Sequence, residues 1–451
     1  MNTQRKIRLS VPQFLTLGYL GVILLGALLL LLPVATQAGE STTPLGAFFT
    51  STSATCVTGL VVYDTGTHWT PFGQVVILTL IQIGGLGFMT IVSIIFRLLG
   101  REMGLYSSKV MMLSTAAKDR SGLRTFFAHI VFGTLAFEII GAVLLSIRFV
   151  PQYGGRGVYL AIWHAISAFC NAGFDLMGTE GAPFVSFTGY ATDPLVILTL
   201  CGLIVIGGLG FCVWADVASN RTHIRRYTLH TKLVLCTTAG LLTISTLLFL
   251  FFERNRFGAD YGFGDKLLVS LFNAVTPRTA GFNTVDFAEL SDSGYLLTLA
   301  LMFVGGSSAS TAGGVKITTV FVVLAGIMTV FRGKQDIEMG RRRLSHTLVH
   351  QALAIMISCL LIVLVATLGI CAIEEYNEVA TLRTVLFEAF SAMGTVGLSL
   401  GLTPTLHAAS KIILMLLMYI GRVGILTIAL AVGQNNTGVT SKRPLDNIYI
   451  G

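Results

Sequence analysis

The sequence predicts an all-α polytopic membrane protein: four repeats of transmembrane helix, re-entrant pore loop and transmembrane helix around a fourfold pseudosymmetric pore. Three observations carry this expectation. The 451 residues are 53% hydrophobic and 12% charged, with mean hydropathy +0.78, which is roughly half the charge of a soluble domain. One short motif recurs four times at nearly constant spacing. Charge alternates in sign between successive connecting segments.

The motif reads TSTSATCVTGLV (50–61), HAISAFCNAGFD (164–175), FNAVTPRTAGFN (272–283) and EAFSAMGTVGLS (388–399). Each copy sets a glycine after a small or Thr-rich triplet. Gly59, Gly173, Gly281 and Gly397 are 114, 108 and 116 residues apart, a period that divides the whole chain. The units are 1–98, 99–218, 219–332 and 333–433, followed by a tail, 434–451.

Within each unit the order of elements is the same. A spanning apolar segment opens it (about 13–33, 125–148, 230–252 and 347–373). A half-length segment follows (about 44–56, 157–170, 265–277 and 381–394) and is too short to cross a bilayer, so it fits a re-entrant helix. After the glycine turn a second span closes the unit (about 72–97, 190–216, 295–331 and 407–433). Eight spans and four re-entrant loops result. The first span lacks a small-residue cleavage end and is expected to be retained.

The second spans share IGGLGF (83–88), IGGLGF (206–211), VGGSSA (304–309) and IGRVGI (420–425). In the first two copies, close helix packing through small residues is the favoured reading, with a plain bend. The third copy opens VGGSSASTAGGVKIT (304–318) inside a 37-residue apolar run. At ~1.5 Å per residue that run is far longer than a ~30 Å hydrocarbon core, so the small polar stretch breaks the helix near mid-membrane. Irregular backbone at that depth must be packed in protein or line a water-filled path. The fourth copy places Arg422 where the others have glycine. Lys316 is either an anchor of the broken stretch or a snorkelling side chain. Glu138 sits in a first span and is expected on the outer ring, poorly placed as a proton relay.

Segments 1–10, 97–124, 216–232, 332–343 and 434–451 hold twenty Lys/Arg against six acids; the opposite loops hold eight against fifteen. Positive-inside orientation places both termini in the cytoplasm and the glycine turns outside. The basic balance thus reports topology and contact with anionic lipid, not nucleic acid.

Four turns on one axis can surround a cation with backbone carbonyls, and glycine frees the φ values this demands. Each half-helix points its negative C-terminal end at the axis. The turns carry hydroxyls (Thr58, Thr279, Thr395) and no carboxylate; Asp175 follows the second one. That set suits a large monovalent cation, since Ca²⁺ and Mg²⁺ want charged oxygens. The expected ion-binding residues are Val57, Thr58 and Gly59; Asn171, Ala172 and Gly173; Thr279, Ala280 and Gly281; Thr395, Val396 and Gly397. A mobile loop of small residues below them, with a positive barrier from Arg422, reads as a gate.

Enzyme readings lack their residues. No G-x-S-x-G surrounds Ser307, Ser308 or Ser310, and no phosphate loop or nucleotide fingerprint occurs. His346 and His350 lack the glutamate of a zinc-protease helix. Seven cysteines, an odd number, show no metal or disulfide spacing. No catalytic residue and no cofactor of the chain's own is expected. A symporter coupling its cation to sodium or protons remains the alternative, because glycine-broken midplane helices also mark such folds.

The four turns, GGSSASTAGGVK and IGRVGI together resemble the Trk/Ktr/HKT superfamily of potassium transporters over nearly the whole chain, most like the KtrB-type membrane subunit of the bacterial Ktr systems. The resemblance implies potassium uptake across the plasma membrane through a channel-like pore, with K⁺ at the filter as the only metal and Na⁺ as an allowed activator. It implies a homodimer on a KtrA-like cytoplasmic ring, which alone would carry nucleotide (ATP/ADP or NAD). Glycine at Gly59 goes with potassium. Gly305, Gly306, Ser307, Ser308, Ala309, Ser310, Thr311, Ala312, Gly313 and Gly314 match the family's gate, flanked by Lys316, with Arg422 narrowing the pore at that level.

Overall fold

The computed structural model describes residues 10–87, 120–257, 261–334, 336–339 and 342–433. It is almost entirely helical. Repeat 1 contains α1 (Val11–Leu30), α2 (Pro44–Thr55) and α3 (Pro71–Leu86). Repeat 2 contains α4 (Arg120–Tyr153), α5 (Gly155–Phe169), α6 (Pro194–Leu209) and α7 (Phe211–Asn220). Repeat 3 contains α8 (Leu229–Phe252), α9 (Phe263–Val275), α10 (Asp292–Phe303) and α11 (Ile317–Phe331). A two-stranded hairpin, β1 (Ile337–Met339) and β2 (Arg342–Leu344), leads to α12 (His346–Ile373), α13 (Leu382–Gly394), α14 (Ala408–Val423) and α15 (Ile425–Gly433) of repeat 4.

Local sequence sets several helix starts. Pro44, Pro71 and Pro194 occupy first-turn positions, where a missing N–H costs nothing and φ is already helical. The residue before each proline caps the helix. Thr43 Oγ1 accepts from Gly46 N–H at 3.1 Å, Thr70 Oγ1 from Gly73 N–H at 3.3 Å, and Asp193 Oδ1 from Leu195 N–H at 3.1 Å. Four helices among the described residues are long and apolar enough to cross a bilayer: α1, most of α4, α8 and α12. Their exposed Leu, Ile, Val and Phe side chains face outward. The half-helices α2, α5, α9 and α13 lie inside, with Phe49, Trp163, Phe272 and Phe387 fully buried.

The second span of repeat 3 is broken between α10 and α11, as its small polar stretch predicts, and those of repeats 2 and 4 bend sharply. None of those described is one continuous helix. α6 and α7 meet at a 94° bend and α14 and α15 at 92°. The third glycine of the shared motif causes it: Gly210 has φ +95° and Gly424 φ +87°, a backbone that ends a helix. Gly87 takes φ +82° at the same place in repeat 1, and residues 88–119 lie outside the described set. The first motif glycine does pack, as expected. A methyl at Gly84, Gly207 or Gly421 would overlap the carbonyl of Thr55, Phe169 or Met393, at the ends of α2, α5 and α13. One motif therefore both seats the half-helix and turns the chain. In repeat 3 Ser308 stands at the third glycine's place, and the interruption is a loop.

The end of α12 is tied to the start of α14 by Glu374, which is 1% exposed. Its carboxylate accepts from His407 N–H at 2.8 Å and Asn377 Nδ2 at 2.9 Å, with His407 Nδ1 also at 2.9 Å. Burial alone would raise this carboxyl; the hydrogen bonds outweigh it and hold the group at about 2, against an ordinary 4.5. A depressed carboxyl stabilises the fold above its ordinary value and loses that contribution as pH falls toward the folded value. The thermal midpoint of detergent-solubilised protein should drop between about pH 5 and about pH 3, and less so in Glu374→Gln. Equal drops in the two proteins would refute the assignment.

Candidate functional site: a ring of glycine turns over a broken helix

All twelve turn residues named from sequence are buried, and the four turns meet. Gly59, Gly173, Gly281 and Gly397 have φ of +55°, +71°, +80° and +94°. Two positions earlier, Val57, Asn171, Thr279 and Thr395 also take positive φ, at +51°, +61°, +75° and +51°, while the residue between does not. In an ordinary strand successive residues face opposite sides. Reversing the sign of φ at alternate residues cancels that alternation and brings neighbouring carbonyls toward one side. Left-handed backbone costs an L residue about 1–2 kcal/mol, so the strain at four non-glycine positions marks a functional constraint.

The ring closes through the glycines. A methyl at Gly59 would lie 2.7 Å from the Ala172 carbonyl oxygen, one at Gly173 2.7 Å from that of Ala280, and one at Gly281 2.5 Å from that of Val396. A methyl at Gly397 would overlap the carbonyl of Thr58, which returns the sequence to repeat 1. Outside the ring lies a cavity of about 390 Å³, lined by all four glycines and by Asp64, Asp175 and Asp286. Its own repeat supports each turn. Thr58, Ala172 and Val396 N–H donate to the carbonyls of Ser53, Ser167 and Ser391 at 3.0, 2.8 and 2.8 Å, and Ala280 N–H to that of Thr276 at 2.9 Å. The half-helix C-termini therefore abut the ring. The Asn171 side-chain amide and Thr279 hydroxyl, 3.1 Å apart, link repeats 2 and 3. The hydroxyls of Thr58 and Thr395 are buried with no protein partner.

The interruption of repeat 3 lies against this ring. Gly314 approaches the end of α13, where a methyl on it would lie 3.0 Å from the Gly394 carbonyl, and one on Gly313 would overlap the Thr395 hydroxyl. The loop is fastened, which its flexible composition did not suggest. Gly305 N–H donates to Val315 O at 2.9 Å and Ile317 N–H to Gly306 O at 3.0 Å, closing its neck. Ser307 and Thr311 N–H donate to the carbonyls of Gly208 and Gly207 at 2.9 and 3.3 Å, and Phe211 N–H to Ala309 O at 2.8 Å. The bend at Gly210 thus frees groups that hold the loop. Arg422 reaches across, donating to the carbonyls of Thr311 in the loop and Gly84 in α3. Among the described residues no carboxylate pairs with it. Lys316 Nζ donates to Ala312 O at 2.6 Å and Gly313 O at 3.4 Å, so it anchors its own loop and does not snorkel.

Sequence reasoning misplaced the Glu138 side chain and missed several supports. Glu138 sits on α4, one of the outward-facing spans, but its own side chain is turned inward, 5% exposed, and accepts from Gln82 of α3. Behind the turns, His164 Nε2 accepts from Leu176 N–H at 3.2 Å and Glu388 accepts from the hydroxyl of Thr403 at 2.8 Å. The available signal was a lone polar residue at the first position of the repeated motif in copies two and four, within an apolar half-helix. No cluster of three potential metal ligands occurs among the described residues.

A helical membrane protein with a closed fourfold ring of oxygen-lined turns is of the transport class, and comparison with known proteins identifies its family. A family model described as "TrkH: Cation transport protein" matches residues 20–437. The chain is 39% identical to the "Potassium/sodium uptake protein NtpJ" of Enterococcus hirae, covering 100% of this chain and 99% of the relative. It is 42% identical to the "Ktr system potassium uptake protein B" of Bacillus subtilis, covering 93% and 92%. The crystal structure of the potassium transporter TrkH from Vibrio parahaemolyticus superposes with TM-score 0.72 at 21% identity, over 96% of this chain and 86% of that one. The chain belongs to the TrkH cation-transport family and is a multi-pass transporter, not an enzyme.

Gly281→Ala adds a methyl to a ring position with positive φ. Cation uptake should fall at least about tenfold, the equivalent of about 1.4 kcal/mol. Gly181→Ala, with nothing within 4 Å, should leave uptake unchanged. Full uptake by Gly281→Ala at normal membrane abundance would show that the ring is not the path.

Proposed function

We propose that the chain takes up potassium through the ring, with Val57–Gly59, Asn171–Gly173, Thr279–Gly281 and Thr395–Gly397 as its filter. The carrying observation is the closed circuit of four left-handed turns, whose residues offer carbonyls and hydroxyls and no carboxylate. Such oxygens replace the shell of a weakly hydrated monovalent ion; they lack the charge that would favour a divalent one. The names of the two curated relatives support the same ion, and one of them also names sodium. Sodium enters this reading as an allowed activator of the uptake.

The loop from Gly305 to Gly314, with Lys316 and Arg422, is the gate in this reading. It rests against the ring, and the guanidinium adds a positive charge at the same level. The protein works in the plasma membrane with both termini in the cytoplasm, as a homodimer on a ring of nucleotide-binding regulatory subunits of the KtrA type. The name of the Bacillus subtilis relative, a Ktr system component, supports an assembly of several subunits. In this reading the cytoplasmic segments 97–124, 332–343 and 434–451 are the surface for docking the ring; the tail and most of 97–124 lie outside the described residues.

Uptake in a host lacking its own potassium systems tests the reading. The intact chain should restore potassium uptake, and Gly59→Ser should weaken it or admit sodium. Replacing 305–314 by a short linker should raise the flux several-fold. Flux at or below the wild-type level in an abundant variant would show that the loop does not close the path.

A further inference from the structure

Glu138 is one of the buried ionisable groups, among the described residues, that the gate and filter do not use. Glu138 lies on α4, in the first span of repeat 2, and is 5% exposed. A carboxylate at such depth is expensive and is retained where it does something. Both its oxygens accept from Gln82 Nε2, at 3.0 and 3.3 Å. The other end of that amide, Gln82 Oε1, accepts from Cys170 Sγ at 3.4 Å. Cys170 caps α5 and directly precedes Asn171 of the ring. Its sulfur is confined on the far side by Gly85, where a methyl would lie 2.6 Å away. Asn171 in turn meets the Thr279 hydroxyl of repeat 3.

This chain of contacts has a direction. An ionised carboxylate only accepts hydrogen bonds. With both Glu138 oxygens accepting from Nε2, the Gln82 amide presents its NH₂ to Glu138 and its oxygen to Cys170, so the thiol is the donor. We propose that Glu138 is a positioning residue for potassium selectivity: through Gln82 it fixes the Cys170 thiol and hence the backbone of Asn171–Gly173. This rests on the reading of the ring as a potassium filter. It also accounts for the cysteine, whose small polarisable side chain fits beside Gly85 and still donates.

The test measures sodium and rubidium uptake by the full-length chain in a host without potassium uptake, normalised to membrane abundance. A merely structural role changes the abundance or the overall rate, not the ratio. Glu138→Ala, Gln82→Ala and Cys170→Ala should each raise the sodium-to-rubidium ratio by about three- to tenfold, the scale of one lost hydrogen bond. The transposed pair Gln82→Glu with Glu138→Gln keeps an acceptor facing the thiol and should restore the wild-type ratio. So should Cys170→Ser compared with Cys170→Ala. An unchanged ratio in abundant Glu138→Ala overturns the inference, as does a transposed pair no better than the single variants. Where Glu138→Ala does not reach the membrane, the Cys170 pair decides: a ratio raised in Ala and restored in Ser supports it, and equal ratios overturn it. A wild-type chain that transports no potassium removes the functional reading and this inference together, whereas a transporting wild type with an unmoved variant ratio removes this inference alone.

Discussion

Backbone from four parts of the chain must pass so close together around one axis that no Cβ fits between them. At each of Gly59, Gly173, Gly281 and Gly397 the nearest neighbour is a carbonyl of the next repeat, within or inside van der Waals contact of where a methyl would go. The rest of the fold follows from holding that arrangement. Half-helices bring each turn to the axis and end against it. The second helices need their own glycines to lie against the last carbonyls of three of the half-helices. Left-handed backbone at Val57, Asn171, Thr279 and Thr395 costs about 1–2 kcal/mol per residue. It persists because each turn is held both by its own half-helix and by the neighbouring repeat.

A second constraint concerns the broken helix of repeat 3. A loop of glycine, serine and alanine has little side-chain surface to bury, so its position depends on hydrogen bonds. The structure supplies them from three other repeats: Gly207 and Gly208 of repeat 2, Gly421 and Arg422 of repeat 4, and, through Arg422, Gly84 of repeat 1. Hydrogen bonds to a charged group contribute about 1.5–3 kcal/mol each. Releasing both arms of Arg422 therefore costs roughly 3–6 kcal/mol, so a loop freed of them would be populated at about one part in a hundred or far less.

Much of this was legible because glycine spacing is a backbone signal. A position that needs φ > 0 or tolerates no Cβ shows itself in the sequence whatever surrounds it, and Gly59, Gly173, Gly281 and Gly397 did so at a regular period. The same holds for the broken stretch at Gly305–Gly314. The third glycine of IGGLGF was harder, since one residue type serves helix packing and helix termination alike, and only the chain direction after Gly210 separates them. The supports were not legible. Glu138, Gln82 and Cys170 come from three helices, and their meeting depends on which face each helix presents. An apolar span surrounded by lipid and protein shows weak periodicity, so Glu138 looked peripheral. Arg422 was visible as a charge, but its two carbonyl partners lie 111 and 338 residues away in sequence.

Fusing four units into one chain permits what a tetramer of identical subunits cannot. In a symmetric tetramer, a broken helix or an arginine below the ring would appear four times. Four loops would crowd the axis, and four guanidinium groups within a few ångströms would repel one another strongly in a medium of low dielectric. Here repeats 1 and 2 keep glycine at the position of Arg422, repeat 3 alone carries the loop, and repeat 4 alone carries the arginine. The carbonyls of Gly84 and Thr311 can both serve one guanidinium because no second one competes. Symmetry is kept in the ring of glycine turns and abandoned one level below it, at the single loop of repeat 3 and the single arginine of repeat 4.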